Sequence, residues 1–286
     1  MNLRDLKYLV ELKKEQNFSK AAQKSFVSQP ALSMQIKKLE DELGVKIFER
    51  AQKKFLITQI GFKIIEKAEI ILLEVEEIKN LAKNSKDIFG GELKVAAFPG
   101  IASYFFPQFV KQVSKEIPRL KVFLVEEKTE KIIEKLESGA IDCAFLAMPV
   151  LNNLFEAKKI FEEPFLLAVS KKHELAKRKK IQTKELKNRS LMLLEDGHCM
   201  RNQTLEFCSF VEAFEEADFK ATSLETLRQM VISGVGITLM PKIAVQKSDK
   251  ISYIEIINPP KRTIGLYFRK GSAKKEIFEE LVKILK

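Results

Sequence analysis

The 286-residue sequence predicts a multi-domain chain: an N-terminal all-α unit with a two-stranded wing, a long linker helix, and a C-terminal α/β region of two lobes. Three observations predict it. Short apolar-periodic segments with cap residues fill the first 58 residues; residues 59–87 hold no proline and, after Gly61, no glycine; from residue 88 strand-like and helix-like runs alternate. The domains are therefore drawn at 1–58, 59–87 and 88–286.

Composition narrows the class. Hydrophobic residues at 45% and charged residues at 31% are ordinary globular values, which excludes a disordered or fibrous chain. The charged start and the absence of about 18 uninterrupted apolar residues support neither a signal peptide nor a spanning helix, so a cytoplasmic protein without membrane contact is expected. Of the net +11, residues 1–65 supply +6, from 13 basic and 7 acidic side chains. That concentration suits a partner made of phosphates.

In the first segment Leu6, Leu9 and Val10 recur at helical spacing until EQNFS breaks the run. A short second helix, SKAAQKS, takes Ser19 as its cap and lets another helix approach Ala21 and Ala22. Ser28 caps a third, QPALSMQIKKLEDEL, where Pro30 is tolerated in the first turn and Gly44 ends the run. Leu32, Ile36 and Leu39 form its inward stripe, so Gln29, Pro30, Ser33, Met34 and Lys37 face outward. Polar groups at the start of such a helix reach base edges, while Lys37 and Lys38 meet phosphates. VKIFERAQKKFLIT alternates apolar residues around a basic tip, Lys53 and Lys54, as a wing would. On pattern alone this is a winged helix-turn-helix, with a three-helix bundle bearing a solvated basic face as the alternative.

Along the linker, Ile64, Ala68, Ile71, Val75, Ile78 and Ala82 are spaced as a heptad seam, in a helix of roughly 40 Å. Such a seam packs on its own chain or on a second copy, and self-pairing fits a two-fold DNA site. Beyond a hinge at DIFGG, ELKVAAF, residues 104–116, LKVFLVEE, residues 130–138 and DCAFLAM read as strand, helix, strand, helix, strand, which implies a parallel sheet. PFLLAVS, SLMLLED, SLETLRQMVISG and GITLMP form a second group; RTIGLYFRK returns the chain and residues 274–286 close it as a helix. The basic cluster KKHELAKRKK reads as a solvated face.

LLEDGHCMRNQTLEFC holds Cys199 and Cys208, two of only three cysteines. With Asp196 capping a helix that begins at Gly197, Cys199 lies in the first turn, where unpaired amides and the helix dipole favour a thiolate and Arg201 adds positive charge. A thiol of that kind reacts with peroxide. In an unbroken helix, Cys208 would sit ~13 Å farther along the axis and half a turn round. A disulfide needs Cα atoms within ~7 Å, so forming one must unwind or bend the helix. From the residues alone, two inert thiols or a zinc site with His198 remain as alternatives, although no second ligand pair accompanies the latter. Cys143, in an apolar strand, reads as packing.

FSKAAQKSFVSQPALSMQIKKLEDELGVKIFER followed by LITQIG resembles the N-terminal domain of the LysR-type transcriptional regulators over residues 1 to about 61. The two-lobed remainder resembles their periplasmic-binding-protein-like effector domain. This resemblance implies that Gln29, Pro30, Ser33 and Lys37 read the major groove and that Arg50, Lys53 and Lys54 contact backbone or minor groove. Ile60 stands where the family usually has alanine, a change of packing.

LMLLEDGHCMRNQTLEFC, with FKATSLETLRQMVISGVGITLMP and KRTIGLYFR, is similar to the peroxide-sensing OxyR branch of the family. That similarity implies Cys199 as peroxidatic and Cys208 as resolving cysteine, and a peroxide pocket lined by His198 and Thr129. Gly100, in FPGIAS, stands where the family commonly has threonine, and Ser103 is the candidate substitute hydroxyl. Without the resemblance, Thr129 reads as a cap on the helix 130–138. The implied partners are a double-stranded DNA operator, hydrogen peroxide, a second copy through the linker helix with a tetramer as final assembly, and RNA polymerase. No cofactor or metal is implied, and the chain is read as a regulator rather than an enzyme. A thiol peroxidase, or a LysR-type regulator of a small organic effector, are the competing functions.

Overall fold

The computed structural model describes residues 1–51, 54–84, 89–196, 199–246 and 250–286, in two compact units, Met1–Ser85 and Lys86–Lys286. In the first, α1 (Leu3–Glu15) opens on a reciprocal cap: Asn2 Oδ1 accepts the Arg4 and Asp5 N–H groups while Asp5 accepts the Asn2 N–H. α2 (Phe18–Lys24) is capped by Asn17, whose Oδ1 accepts the Lys20 N–H at 3.0 Å. The expected cap, Ser19, therefore falls inside the helix; Asn17, two residues earlier and an equally favoured cap residue, takes the third helical amide instead. α3 (Gln29–Leu43) starts on Ser28 and stops at Gly44 in the left-handed region, as expected. Leu32, Ile36 and Leu39 join Leu6, Leu9, Leu12, Ala21 and Ala22 in one core.

The wing pairs β1 (Phe48–Ala51) antiparallel with β2 (Lys54–Ile57). α4 (Gln59–Asn84) follows directly. A Cβ at Gly61 would lie 2.3 Å from the Ile47 carbonyl oxygen, so only glycine lets the helix start this close to the wing. The first turns of α4 pack within the unit, burying Ile65 and Ala68. Ala68 is thus spent on its own chain rather than on a partner, whereas Ile71 and Ile78 of the seam stay exposed.

The second unit runs β3 (Gly91–Ala97), α5 (Pro99–Glu116), β4 (Leu120–Glu126), α6 (Thr129–Glu137), β5 (Cys143–Ala147), β6 (Phe155–Ser170), β7 (Lys180–Gln182), β8 (Ser190–Leu194), α7 (Cys199–Val211), β9 (Phe214–Ala221), α8 (Leu224–Ile232), β10 (Thr238–Pro241), β11 (Ile251–Ile257), β12 (Lys261–Arg269) and α9 (Lys275–Ile284). α5 starts five residues before the expected 104, because Pro99 takes the first helical position, where a missing N–H is no loss. Gly100 and Ser103 are consequently helical rather than part of a loop.

β4, β3 and β5 pair in parallel as expected, but β12 pairs antiparallel with β5 on one side and with β6 on the other, so the sheet is mixed. β6 leaves the first lobe to pair with β10 and β11 in the second. Two separate cores result, one around Phe105, Phe109, Phe145 and Phe278, the other around Leu167, Leu193, Leu227 and Cys208. The C-terminal ends of β3, β4 and β8 gather where ligands sit in open α/β sheets: the Glu127 N–H donates to the Ala97 carbonyl, and Lys128 Nζ reaches Glu195 at 2.9 Å.

Candidate redox centre and nucleic-acid interface

On α3, Pro30, Met34 and Lys37 are exposed and Gln29 and Ser33 half-buried, with Gln29 Nε2 3.5 Å from Ser33 Oγ. Lys53 lies outside the described residues, as do the side chains of Arg50 and Lys54, although β1 and β2 place positions 50 and 54 at the tip of the wing. A residue absent from the sequence reading ties wing to helix. Glu40, buried on α3, accepts the Ile47 and Phe48 N–H groups at 2.8 and 3.0 Å and Lys46 Nζ at 3.3 Å. Its signal was a carboxylate on the inward side of an amphipathic helix, which needs partners if it is to be buried.

In the second unit, α7 is continuous from position 199 to position 208. The two Cα atoms are thus roughly 13 Å apart along the axis and half a turn round, outside disulfide range. Cys208 belongs to the core of the second lobe, with Met200, Phe207 and Val211 of the same helix, and is 3% exposed. Burial, and secondarily the charge of Glu215, push its thiol up to about 11. The side chain of Cys199, together with Gly197 and His198, lies outside the described residues; α7 begins at position 199, where backbone amides are unpaired.

Arg201 does not act as a spare positive charge. It is buried, with Nη1 and Nη2 donating to Glu215 at 2.5 and 3.0 Å, Nε to Asp196 at 2.8 Å, and Nη1 also to the Leu194 carbonyl at 3.0 Å. Two carboxylates neutralise it, so the helix terminus rather than Arg201 is the source of positive potential at position 199. Asp196 also has Lys220 Nζ at 4.0 Å from its other carboxylate oxygen.

Buried polar atoms without a hydrogen-bond partner among the described residues include Thr129 Oγ1, Gln203 Oε1 and Arg262 Nη1. Thr129 is the first residue of α6, and its hydroxyl is unpaired, which removes the reading of it as a helix cap. The Nζ of its neighbour Lys128 lies 3.5 Å from the Asp196 carbonyl. Gln203 follows position 199 by one helical turn. Both Gln203 and Arg262 were missed, although an arginine opening the apolar run RTIGLYF was a visible signal of a buried cation.

Arg262 sits at the junction of the lobes, paired in register with Glu163. Its Nε donates to Glu163 at 2.7 Å and its Nη2 to the Gly100 carbonyl at 3.1 Å; Glu163 also accepts the Ile243 N–H at 2.7 Å. Phe98 of the first lobe and Phe165 of the second lie 5.6 and 5.7 Å from the guanidinium carbon. A Cβ at Gly100 would be 3.6 Å from the unpaired Arg262 Nη1. Ser103, by contrast, is exposed and donates to the Pro99 carbonyl at 3.4 Å, so it takes the solvent side of α5 and is no substitute for a hydroxyl at position 100. Buried unpaired donors and acceptors of this kind suit a small polar ligand.

Residues 3–62 match the bacterial regulatory helix-turn-helix protein, lysR family, and residues 87–286 match the LysR substrate binding domain. A hydrogen peroxide-inducible genes activator of Dickeya chrysanthemi is 41% identical over 285 residues, covering 98% of this chain and 93% of the relative. A full-length OxyR from Pseudomonas aeruginosa carrying a cysteine-to-aspartate substitution superposes with a TM-score of 0.77 at 33% identity, covering 100% of this chain and 94% of that one. The oxidized form of OxyR, covering 70% of this chain and 96% of its own, aligns with a TM-score of 0.64 at 36% identity.

Proposed function

Because this chain belongs to the LysR family, in its OxyR group of hydrogen peroxide-inducible gene activators, we propose that it is a DNA-binding regulator whose switch is a reversible Cys199–Cys208 disulfide. The observation that carries the assignment to these two residues is α7 itself, one helix that starts at one cysteine and buries the other. The Cys199 thiolate attacks one peroxide oxygen, the O–O bond breaks, and hydroxide leaves Cys199 as the sulfenic acid. The Cys208 thiol then displaces that hydroxyl as water, closing the S–S bond; a cellular dithiol supplies the two electrons that reopen it. Thr129, Gln203 and Arg262 supply unpaired polar atoms for the peroxide oxygens. Chemistry of this kind is stoichiometric signalling, so no enzymatic turnover is assigned.

Gln29, Pro30, Ser33 and Lys37 enter the major groove, with Arg50, Lys53 and Lys54 on the flanking backbone or minor groove. Exposed Ile71 and Ile78 on α4 suit pairing with a second copy, and two such dimers a tetramer, working in the cytoplasm where operator and RNA polymerase meet. The test is a DNA footprint of reduced and peroxide-treated protein: the two should differ in extent, and Cys199→Ser should give the reduced footprint in both. Identical wild-type footprints would sink the switch.

Arg262 at Gly100 makes a second, local prediction. Ser103→Ala should leave the rate of Cys199 oxidation unchanged within about twofold, since this hydroxyl is back-bonded on an exposed face. Stopped-flow oxidation with peroxide measures it; a tenfold loss would return Ser103 to the pocket.

A further inference from the structure

Among the described residues of the first unit, the two most exposed large apolar side chains are Phe26, at 95%, and Met34, at 70%. Both flank the proposed DNA-reading end of α3. Met34 lies ~140–160° around the helix from each of the buried residues Leu32, Ile36 and Leu39, so it points almost directly away from the core. Pro30, Lys37 and Lys38 lie within ~60° of it, on the same outward side.

Phe26 occupies the turn two residues ahead of the Ser28 cap, with its N–H donating to the Gln23 carbonyl at 3.1 Å. It holds φ +56°, a left-handed conformation in which glycine is at ease and a phenylalanine is strained. A bare aromatic in a strained backbone gains nothing from the free protein. Its return lies in a partner.

The major groove presents hydrogen-bonding atoms on every base pair and one apolar group, the thymine 5-methyl. A thioether side chain has almost no hydrogen-bonding capacity and no fixed shape, which leaves that methyl as its natural contact. Lysines beside it, Lys37 and Lys38, hold the duplex by its phosphates. We propose that Met34, with Phe26 at the adjoining turn, reads thymine 5-methyl groups, giving the operator a requirement for thymine in addition to the hydrogen bonds of Gln29 and Ser33. The proposal rests on the DNA-binding reading above and assigns it an apolar part.

A duplex selected from a random pool by the reduced full-length chain supplies the probe. Each thymine of the selected site is then replaced by uracil, which removes only the methyl group. One thymine per half-site should become sensitive, losing about three- to fivefold in affinity, the weight of one buried methyl. Met34→Ala, on an exposed helical position that alanine suits, should abolish sensitivity there while still binding the uracil duplex as the parent does. Phe26→Gly should melt at a higher temperature yet bind the selected duplex more weakly, a split that a purely structural role would not produce. The proposal is overturned if no thymine is sensitive, or if sensitivity survives both substitutions. Failure to enrich any duplex would instead remove the DNA-binding reading beneath it.

Discussion

Brief hydrogen peroxide treatment of the reduced protein, followed by tryptic digestion without reductant, is expected to yield one cross-linked pair of peptides joining Cys199 to Cys208. Cleavage after Arg201 separates the two cysteines, so the cross-link has an unambiguous mass. In Cys208→Ser, oxidation should stop at the sulfenic acid, which a carbon-acid probe captures on Cys199 alone. The asymmetry follows from burial: Cys208 holds its proton up to about pH 11 while α7 is intact, and burial pushes the Cys143 thiol well up too. Iodoacetamide at pH 7.5 should accordingly label Cys199 first and leave the other two. Free thiols at both positions after peroxide would leave a LysR-type regulator of another effector as the better reading.

The largest stability effect is expected from Arg262→Ala. Removing the guanidinium leaves Glu163 buried without its counter-charge and empties the space between Phe98 and Phe165, at a cost of about 3–5 kcal/mol. Urea unfolding measures it. A double substitution, Arg262→Met with Glu163→Gln, should recover more than half of the loss, because the amide oxygen can still accept the Ile243 N–H and no bare charge remains. If the single substitution costs under about 1 kcal/mol, the pair is not the bolt between the lobes that its burial indicates.

The helices of the first unit were legible because caps and periodicity agree there: Ser28, Pro30 and Gly44 bound α3 where the structure has it. Ser19 misled because Asn17, an equally good cap, stands two residues earlier. In the second unit the buried apolar strands were readable, whereas the first half of β6, in FEAKKIFEEP, hid behind its charges, and β9, in FEEADFKA, did likewise. Strand pairing, not composition, holds such segments. The spacing of the cysteines along one helix could be worked out from the sequence. That Arg201 is consumed by Glu215, or that Arg262 lies against Gly100, depends on chain folds 14 and 162 residues apart and left no local trace.

The continuous α7 has a consequence in time. A sulfenic acid at its first residue cannot be quenched by Cys208 until several turns have let go, so each oxidation event starts a race between helix opening and a second peroxide molecule. Opening first gives a recoverable disulfide; the second oxidant first gives a sulfinic acid that thiols do not reverse. Under the proposed switch, the local stability of α7, to which the clasp of Arg201 on Glu215 and Asp196 contributes, would set the dose at which the sensor burns out rather than signals. Loosening that clasp would widen the working range at the expense of a quiet resting state.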